Sequence, residues 1–179
     1  MTATFINSFI LFFVAIDTIG NVPFFLSLTE DIKVKERNKI AIKATIIAFF
    51  IMITFAYGGR YLLEAINVSL DSLKIAGGVI LMVLAIDILF EKRKKRREKR
   101  VEEALDEKSF DEITVFPIAI PFIAGPSALT TIILLIGNYK NFPEFQVPVI
   151  LALVAALLFG LILMVGAVSY THLTLPTKA

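Results

Sequence analysis

The chain has no cysteine and only one histidine, His172, and both shortages exclude chemistry. Without cysteine there is no disulfide, no thiolate nucleophile and no Cys-based metal site. A single histidine likewise leaves no His-rich zinc site. Charge is concentrated in one segment, because nine of the 18 Lys and Arg residues and eight of the 16 Asp and Glu residues lie between residues 91 and 112. It is scarce in the rest of the chain. Because the cations are concentrated in one loop rather than spread over a folded face, the net charge of +2 gives no indication of nucleic-acid binding.

Apolar residues are what the chain has in abundance. Hydrophobic residues make up 57% of its 179 positions, and the mean hydropathy is +0.80. Soluble domains are about half apolar, so the composition predicts a membrane protein. Stretches of about 20 residues with few charges predict spanning helices, because barrel strands would alternate polar and apolar residues. We expect an all-α, multi-pass transmembrane fold with five spans, at residues 5–28, 40–57, 73–90, 113–136 and 145–168.

The distribution of cations predicts the orientation of these spans, because Lys and Arg are retained on the cytoplasmic side in short loops. Residues 29–39 contain four cations and residues 91–112 contain nine, whereas the opposite side has Arg60 and Lys140. We therefore expect both cation-rich loops in the cytoplasm and the N-terminus outside. The loop at residues 91–112 is predicted to be a solvated anchor that also touches anionic lipid, and a specific regulatory docking site is the alternative.

The first span carries a carboxylate and a helix-breaking set near its middle. Asp17 would cost about 3 kcal/mol at that depth, so it should face protein or water rather than lipid. Gly20 loosens the helix and Pro23 removes a backbone donor, with Asn21 between them. Irregular backbone at membrane depth is tolerated where it lines a cavity, and we therefore predict a binding site here. The alternative is a buried Asp17 that caps the second half-helix or pairs with Lys74.

The fourth span repeats this theme, with Pro117, Pro121 and the run Gly125-Pro126-Ser127. Glycine at a cap followed by proline at the first helical position is a good helix start, so a half-helix is predicted to begin at Gly125. One proline in a membrane helix is common, whereas three prolines and a Gly-Pro step in one span indicate a break.

The first and fourth spans occupy matching positions if the chain is built as two inverted repeats of three helices. Residues 1–90 are then the first repeat, residues 91–112 the charged cytoplasmic loop, and residues 113–168 a truncated second repeat of two helices. Interruptions at matching positions of two halves indicate the midplane site of a transporter. Half-helices that start near Asn21 and Gly125 would turn two positive dipole ends toward a carboxylate, while Asp17 would meet an ammonium, a pairing that suits a zwitterion.

The third span carries a pair of small residues, Gly77 and Gly78, shortly after Lys74. Paired small residues let another helix approach closely, so we predict that both glycines pack against a neighbouring span. Substrate lining is the alternative for these two positions.

Residues 169–179 do not match the rest of the chain. The sequence turns abruptly into Ser-Tyr-Thr-His-Leu-Thr-Leu-Pro-Thr-Lys-Ala, without helical periodicity. We interpret it as a non-native tail, so a sixth span is expected to be missing and no function is assigned to His172.

At these residues the chain resembles the MarC family of multi-pass inner membrane proteins. The resemblance covers residues 4–168 and depends on four ordered motifs, namely Phe5-Ile6-Asn7-Ser8-Phe9, Asp17-x-x-Gly20-Asn21-x-Pro23, Leu73-Lys74-Ile75-Ala76-Gly77-Gly78 and Pro117-x-Ala119-x-Pro121-x-x-Ala124-Gly125-Pro126. The family usually has proline directly after the aspartate, where this chain has Thr18, and it has a sixth span. The resemblance implies a six-helix protein of the LysE-like transporter superfamily in the inner (plasma) membrane of a prokaryote, and some relatives are described as carriers of small neutral amino acids.

The leading hypothesis is a secondary transporter or exporter of small neutral amino acids or similar zwitterions. Its predicted substrate-binding residues are Asp17, Gly20, Asn21, Pro23, Pro121, Gly125, Pro126 and Ser127. The alternative is a non-transporting scaffold that acts through the basic loop. An enzyme is not expected, because no second carboxylate, histidine or nucleophile lies at the depth of Asp17. No cofactor or metal is predicted. The expected partners are the lipid bilayer and a small-molecule substrate. The coupling ion and the formation of a homo-oligomer are left open.

Overall fold

The computed structural model describes residues 1–30, 32–89, 110–139 and 141–174, and all regular structure within these ranges is helical. The helices are α1 (Thr2–Ile16), α2 (Asn21–Leu28), α3 (Val34–Ala65), α4 (Leu70–Leu89), α5 (Phe110–Ile113), α6 (Pro126–Asn138) and α7 (Pro143–Thr174). An irregular stretch of wide turns, Thr114–Ile123, lies between α5 and α6 and is called the proline segment below. The predicted all-α class is confirmed. Residues 91–109 of the charged loop, on which the scaffold hypothesis depends, lie outside the described residues.

The described residues contain two to four candidate membrane spans. Helices α3 and α7 are each long and apolar enough to cross a membrane, and two bent pairs pass the same test together. The bent pairs are α1 with α2, at 43°, and the proline segment with α6, at 57°. Both breaks therefore fall in the spans where the sequence predicted them. Helix α4, the predicted third span, is not among these candidates, and the five-span count and the inverted repeat stay predictions.

The helices extend beyond the predicted spans, because an apolar window marks only the part of a helix that suits hydrocarbon. Helix α3 begins at Val34, so residues 34–39 of the predicted cytoplasmic loop are helical. Helix α7 continues to Thr174, although the sequence predicted that regular structure would end near Val168. The non-native origin of residues 169–179 stays a prediction.

Helix α3 is central because one of its faces carries small residues, which let neighbouring helices approach closely. Its buried residues include Ala41, Ala44, Ala48, Met52 and Ala56. Helices α6 and α7 and the proline segment pack on α3, while α1 lies against α6 and α7. Helix α4 lies on α6. The two broken spans thus meet each other in the interior of the bundle.

Gly77 and Gly78 occupy different environments on α4. A Cβ added at Gly77 would lie 2.5 Å from Thr130 Cγ2 on α6, whereas no described heavy atom lies within 4 Å of a Cβ added at Gly78. Consecutive residues of a helix point about 100° apart, because one turn contains about 3.6 residues. Close packing is therefore found at Gly77 and not at Gly78, where the sequence predicted it for both.

We expect Gly77→Leu to destabilise the protein by about 1–3 kcal/mol, because the new side chain overpacks the contact between α4 and α6. Gly78→Leu is the matched control, since it makes the same chemical change one residue later on an exposed face. Thermal unfolding in detergent measures both variants. Equal unfolding midpoints for the two would contradict this account of the α4–α6 contact.

Candidate functional site

Helix α1 ends where Asp17 adopts the left-handed backbone conformation, with φ 54° and ψ 55°. Aspartate tolerates this region better than most residues that carry a side chain. The N–H of Asp17 donates to Val14 O (3.1 Å) and the N–H of Thr18 donates to Phe13 O (3.3 Å), which satisfies carbonyls of the last turn. Thr18 thus makes a backbone bond that a proline at this position could not make.

The side chain of Asp17 folds over Gly20, the residue that precedes α2. A Cβ at Gly20 would overlap Asp17 Oδ2 and would lie 2.7 Å from Asp17 Cγ. Glycine is therefore required here if the carboxylate is to keep its position beside the start of α2, where the helix dipole favours negative charge. Lys74, one alternative partner for Asp17, instead donates from Nζ to Asp71 Oδ1 at 2.9 Å.

Two buried hydrogen bonds join the two broken spans to each other. Asn21, the first residue of α2, donates from Nδ2 to Ile16 O (2.7 Å) and to Phe122 O (3.0 Å). Ser127, in the first turn of α6, donates from Oγ to Ala15 O at 2.7 Å. Asn21 lies at the start of α2 and reaches the last turn of the proline segment, while Ser127 lies at the start of α6 and reaches the last turn of α1. We call the two cross-span bonds, Asn21 to Phe122 and Ser127 to Ala15, the clasp.

The fourth span is interrupted because its prolines force extended backbone between short turns. Phe116 (φ −130°, ψ 120°) and Ile120 (φ −128°, ψ 124°) each precede a proline, which disfavours helical backbone in the residue before it. At Gly125 the chain passes so close to Pro121 that an added Cβ would lie 2.7 Å from Pro121 O. Helix α6 then begins at Pro126 with Gly125 as its N-cap, as the sequence predicted.

The predicted substrate-binding residues differ in exposure. The buried ones are Asn21, Gly125 and Ser127, the half-buried ones are Asp17, Gly20 and Pro121, and the exposed ones are Pro23 and Pro126. Both exposed prolines lie in the first turn of a helix, where a missing N–H has no helical partner to lose. Of the three buried residues, Asn21 and Ser127 make the hydrogen bonds between the spans, whereas Gly125 packs against Pro121 of its own span.

A cavity of about 10 Å³, enough for one water molecule, lies beside the clasp. Its polar wall consists of Thr18, Asn21 and Thr45, and its apolar wall of Ile16, Ile123, Ala156, Leu157, Gly160 and Met164. Thr18 and Thr45 both donate their hydroxyl hydrogens to carbonyls of the chain just before them, Phe13 O and Ala41 O. Nowhere in the described ranges do three His, Asp or Glu side chains form a group that could hold a metal ion.

Arg37 is a buried residue of this region that the sequence indicated only as an orientation marker. Its Nη2 donates to Leu26 O (3.1 Å) and its Nε donates to Thr29 Oγ1 (2.9 Å), while Thr29 Oγ1 donates to Phe25 O (2.7 Å). A cation on the last carbonyls of a helix is favoured by the dipole. Arg37 therefore ties the end of α2 to α3 and fixes the half-helix whose other end carries Asn21.

Comparisons with known proteins agree on one family. The family model described as "MarC family integral membrane protein" matches residues 2–174. A "UPF0056 membrane protein" of Archaeoglobus fulgidus is 40% identical over 160 residues, which cover 88% of this chain and 72% of the relative. The UPF0056 membrane protein YvbG of Bacillus subtilis is 32% identical over 160 residues, which cover 89% of this chain and 76% of the relative. No solved structure gives a significant match.

Proposed function

Because this chain belongs to the MarC family of integral membrane proteins, we propose that it is a secondary transporter of small zwitterions such as neutral amino acids. The observation that carries the proposal is the clasp, in which two broken spans meet through buried polar side chains. Half-helices that meet in the interior of a bundle are a recurrent way to build a transporter site. The names of the relatives state a membrane protein and no substrate.

A zwitterion offers groups that complement both sides of the clasp. Asn21 Nδ2 and Ser127 Oγ are donors from which a carboxylate would accept, and the N-termini of α2 and α6 add favourable dipoles. The carbonyls of Ala15 and Phe122, released when these donors turn to the substrate, accept hydrogen bonds from an ammonium group. Asp17 supplies the negative charge that balances the ammonium. One bound zwitterion thus replaces both cross-span hydrogen bonds.

Transport in this proposal consists of opening and closing the clasp. The α1–α2 pair and the pair formed by the proline segment and α6 move against each other and expose the site to one side of the membrane and then to the other. We propose the orientation predicted by the cations, with the N-terminus outside and residues 29–39 in the cytoplasm, in the inner membrane of a prokaryote. The cycle involves no covalent step and no cofactor, so the protein is proposed to act as a carrier rather than an enzyme.

Asp17→Asn tests this proposal by removing the charge while keeping the shape of the side chain. We expect the flux of labelled alanine into proteoliposomes to fall about 10- to 100-fold, because a hydrogen bond to a charged group contributes about 1.5–3 kcal/mol. Initial rates are measured at equal amounts of reconstituted protein.

Asp71→Asn is the control for this loss. Asp71 is exposed and paired with Lys74, and a surface ion pair contributes about 0–1 kcal/mol, so its neutralisation should leave the flux unchanged. Wild-type flux in Asp17→Asn would show that the carboxylate plays no part in transport and would remove the ammonium site from the proposal.

A further inference from the structure

We infer that the cavity beside the clasp receives the substrate's side chain and that Gly160 and Met164 on α7 set the size of side chain that is accepted. This inference rests on the proposed function. It adds which residues select among zwitterions that share the same charged ends. Neither residue carries a polar side chain, and neither belongs to the two breaks.

The cavity borders the clasp. Asn21 belongs to both, and two residues of the apolar wall, Ile16 and Ile123, directly follow Ala15 and Phe122, whose carbonyls accept the clasp hydrogen bonds. A molecule that is held at the clasp by a carboxylate and an ammonium on one carbon has a single further substituent besides hydrogen. That substituent is adjacent to the cavity when the charged ends occupy the clasp.

The hydrogen-bonding state of the cavity wall favours an apolar substituent. The single hydroxyl hydrogens of Thr18 and Thr45 are donated to Phe13 O and Ala41 O, and both Nδ2 hydrogens of Asn21 are donated to carbonyls. The remaining wall is apolar. A carboxylate or another acceptor side chain that entered would lose its water without finding a donor in the wall, and burial of an unpaired polar group is unfavourable.

The size limit comes from one face of α7. Ala156, Gly160 and Met164 follow one another at a spacing of four residues, so they lie in a row along the cavity. A Cβ added at Gly160 would lie 3.2 Å from Thr18 Cγ2, closer than ordinary contact, so a larger residue here would press on the Thr18 wall of the cavity and narrow it. Met164 is 4% exposed and closes the same space one turn further along the helix.

The test compares labelled glycine, alanine and valine in proteoliposomes of the full-length protein. We expect Gly160→Ala to lower the ratio of kcat/KM for alanine over glycine about tenfold, because one methyl group in a well-packed pocket changes discrimination by about 10- to 200-fold. We expect Met164→Ala to raise the ratio for valine over alanine by a similar factor, since it enlarges the same space. Effects in opposite directions on one size series distinguish a substrate pocket from general damage.

Gly166→Ala is the matched control, because it makes the same change on the same helix where no described heavy atom lies within 4 Å of the new Cβ. Its ratios should equal those of the wild type. If Gly160→Ala does not fold, as judged by gel filtration, the shift in Met164→Ala decides. Unchanged ratios in every folded variant, with normal wild-type flux, would overturn the inference and leave the proposed function standing. No flux of any of the three amino acids in the wild type would overturn both.

Discussion

Asn21→Ala is expected to cause the largest loss of transport of any single substitution at the clasp. Asn21 is 5% exposed, and its side chain donates to carbonyls of both broken spans. The substitution removes the donor that joins α2 to the proline segment and, in the proposed mechanism, a donor to the substrate carboxylate. Loss of a hydrogen bond to a charged group corresponds to about 10- to 100-fold in flux. The free energy of unfolding should also fall by about 1–3 kcal/mol, because a buried carbonyl loses its partner.

Two further variants separate donation from shape. Asn21→Asp keeps the volume of the side chain but removes both Nδ2 hydrogens, so its flux should be as low as that of Asn21→Ala. Asn138→Ala makes the truncation at an exposed position at the end of α6 and should transport like the wild type. Substantial flux in Asn21→Asp would mean that the side chain only fills space, and the carboxylate site would be lost from the account.

Ser127→Ala is expected to have the second-largest effect, because it removes the other half of the clasp. Ser127 Oγ donates to Ala15 O over 2.7 Å, and both atoms are buried. We expect a loss of stability of about 1–2 kcal/mol and a fall in alanine flux of about tenfold, since one donor to the carboxylate is removed while the other remains. Thermal unfolding and initial flux rates measure the two effects.

Ser27→Ala provides the control for this substitution, since Ser27 is exposed on α2. It should change neither stability nor flux. Ser127→Thr keeps the hydroxyl and should retain more flux than Ser127→Ala. If the alanine variant transports as well as the threonine variant, the hydroxyl does not contribute to the site.

The breaks themselves were predictable because their causes are local. Asp17 ends α1, Gly20 precedes α2, prolines extend the backbone before α6, and Gly125 followed by Pro126 favours a helix start. These effects act over a few residues, so the sequence alone placed the start of α2 near Asn21 and the start of α6 near Gly125.

The partners of the clasp were not predictable in the same way. Asn21 is 101 residues from Phe122 and Ser127 is 112 residues from Ala15, and a helix break indicates where carbonyls lose partners but not which distant side chain supplies one. Packing of the first span on α7 and of the fourth span on α3 determines that choice.

Arg37 and Gly160 were missed for different physical reasons. Arg37 counts as one more cation in a cation-rich loop, and only the fold shows that it is buried against the end of α2. Gly160 is one small residue in a long apolar helix, a pattern typical of ordinary helix packing in membranes. Its role depends on Thr18, whose Cγ2 would lie 3.2 Å from a Cβ added at Gly160.

The central claim is that the two broken spans form one site through the clasp, and a double-mutant cycle on alanine flux tests it most directly. Initial rates are measured for the wild type, Asn21→Ala, Ser127→Ala and the double variant at equal protein amounts. Residues of one hydrogen-bonded network couple by about 0.5–3 kcal/mol, so the double variant should lose clearly less than the product of the two single losses. If the two losses multiply, Asn21 and Ser127 act independently and the two breaks do not form one site.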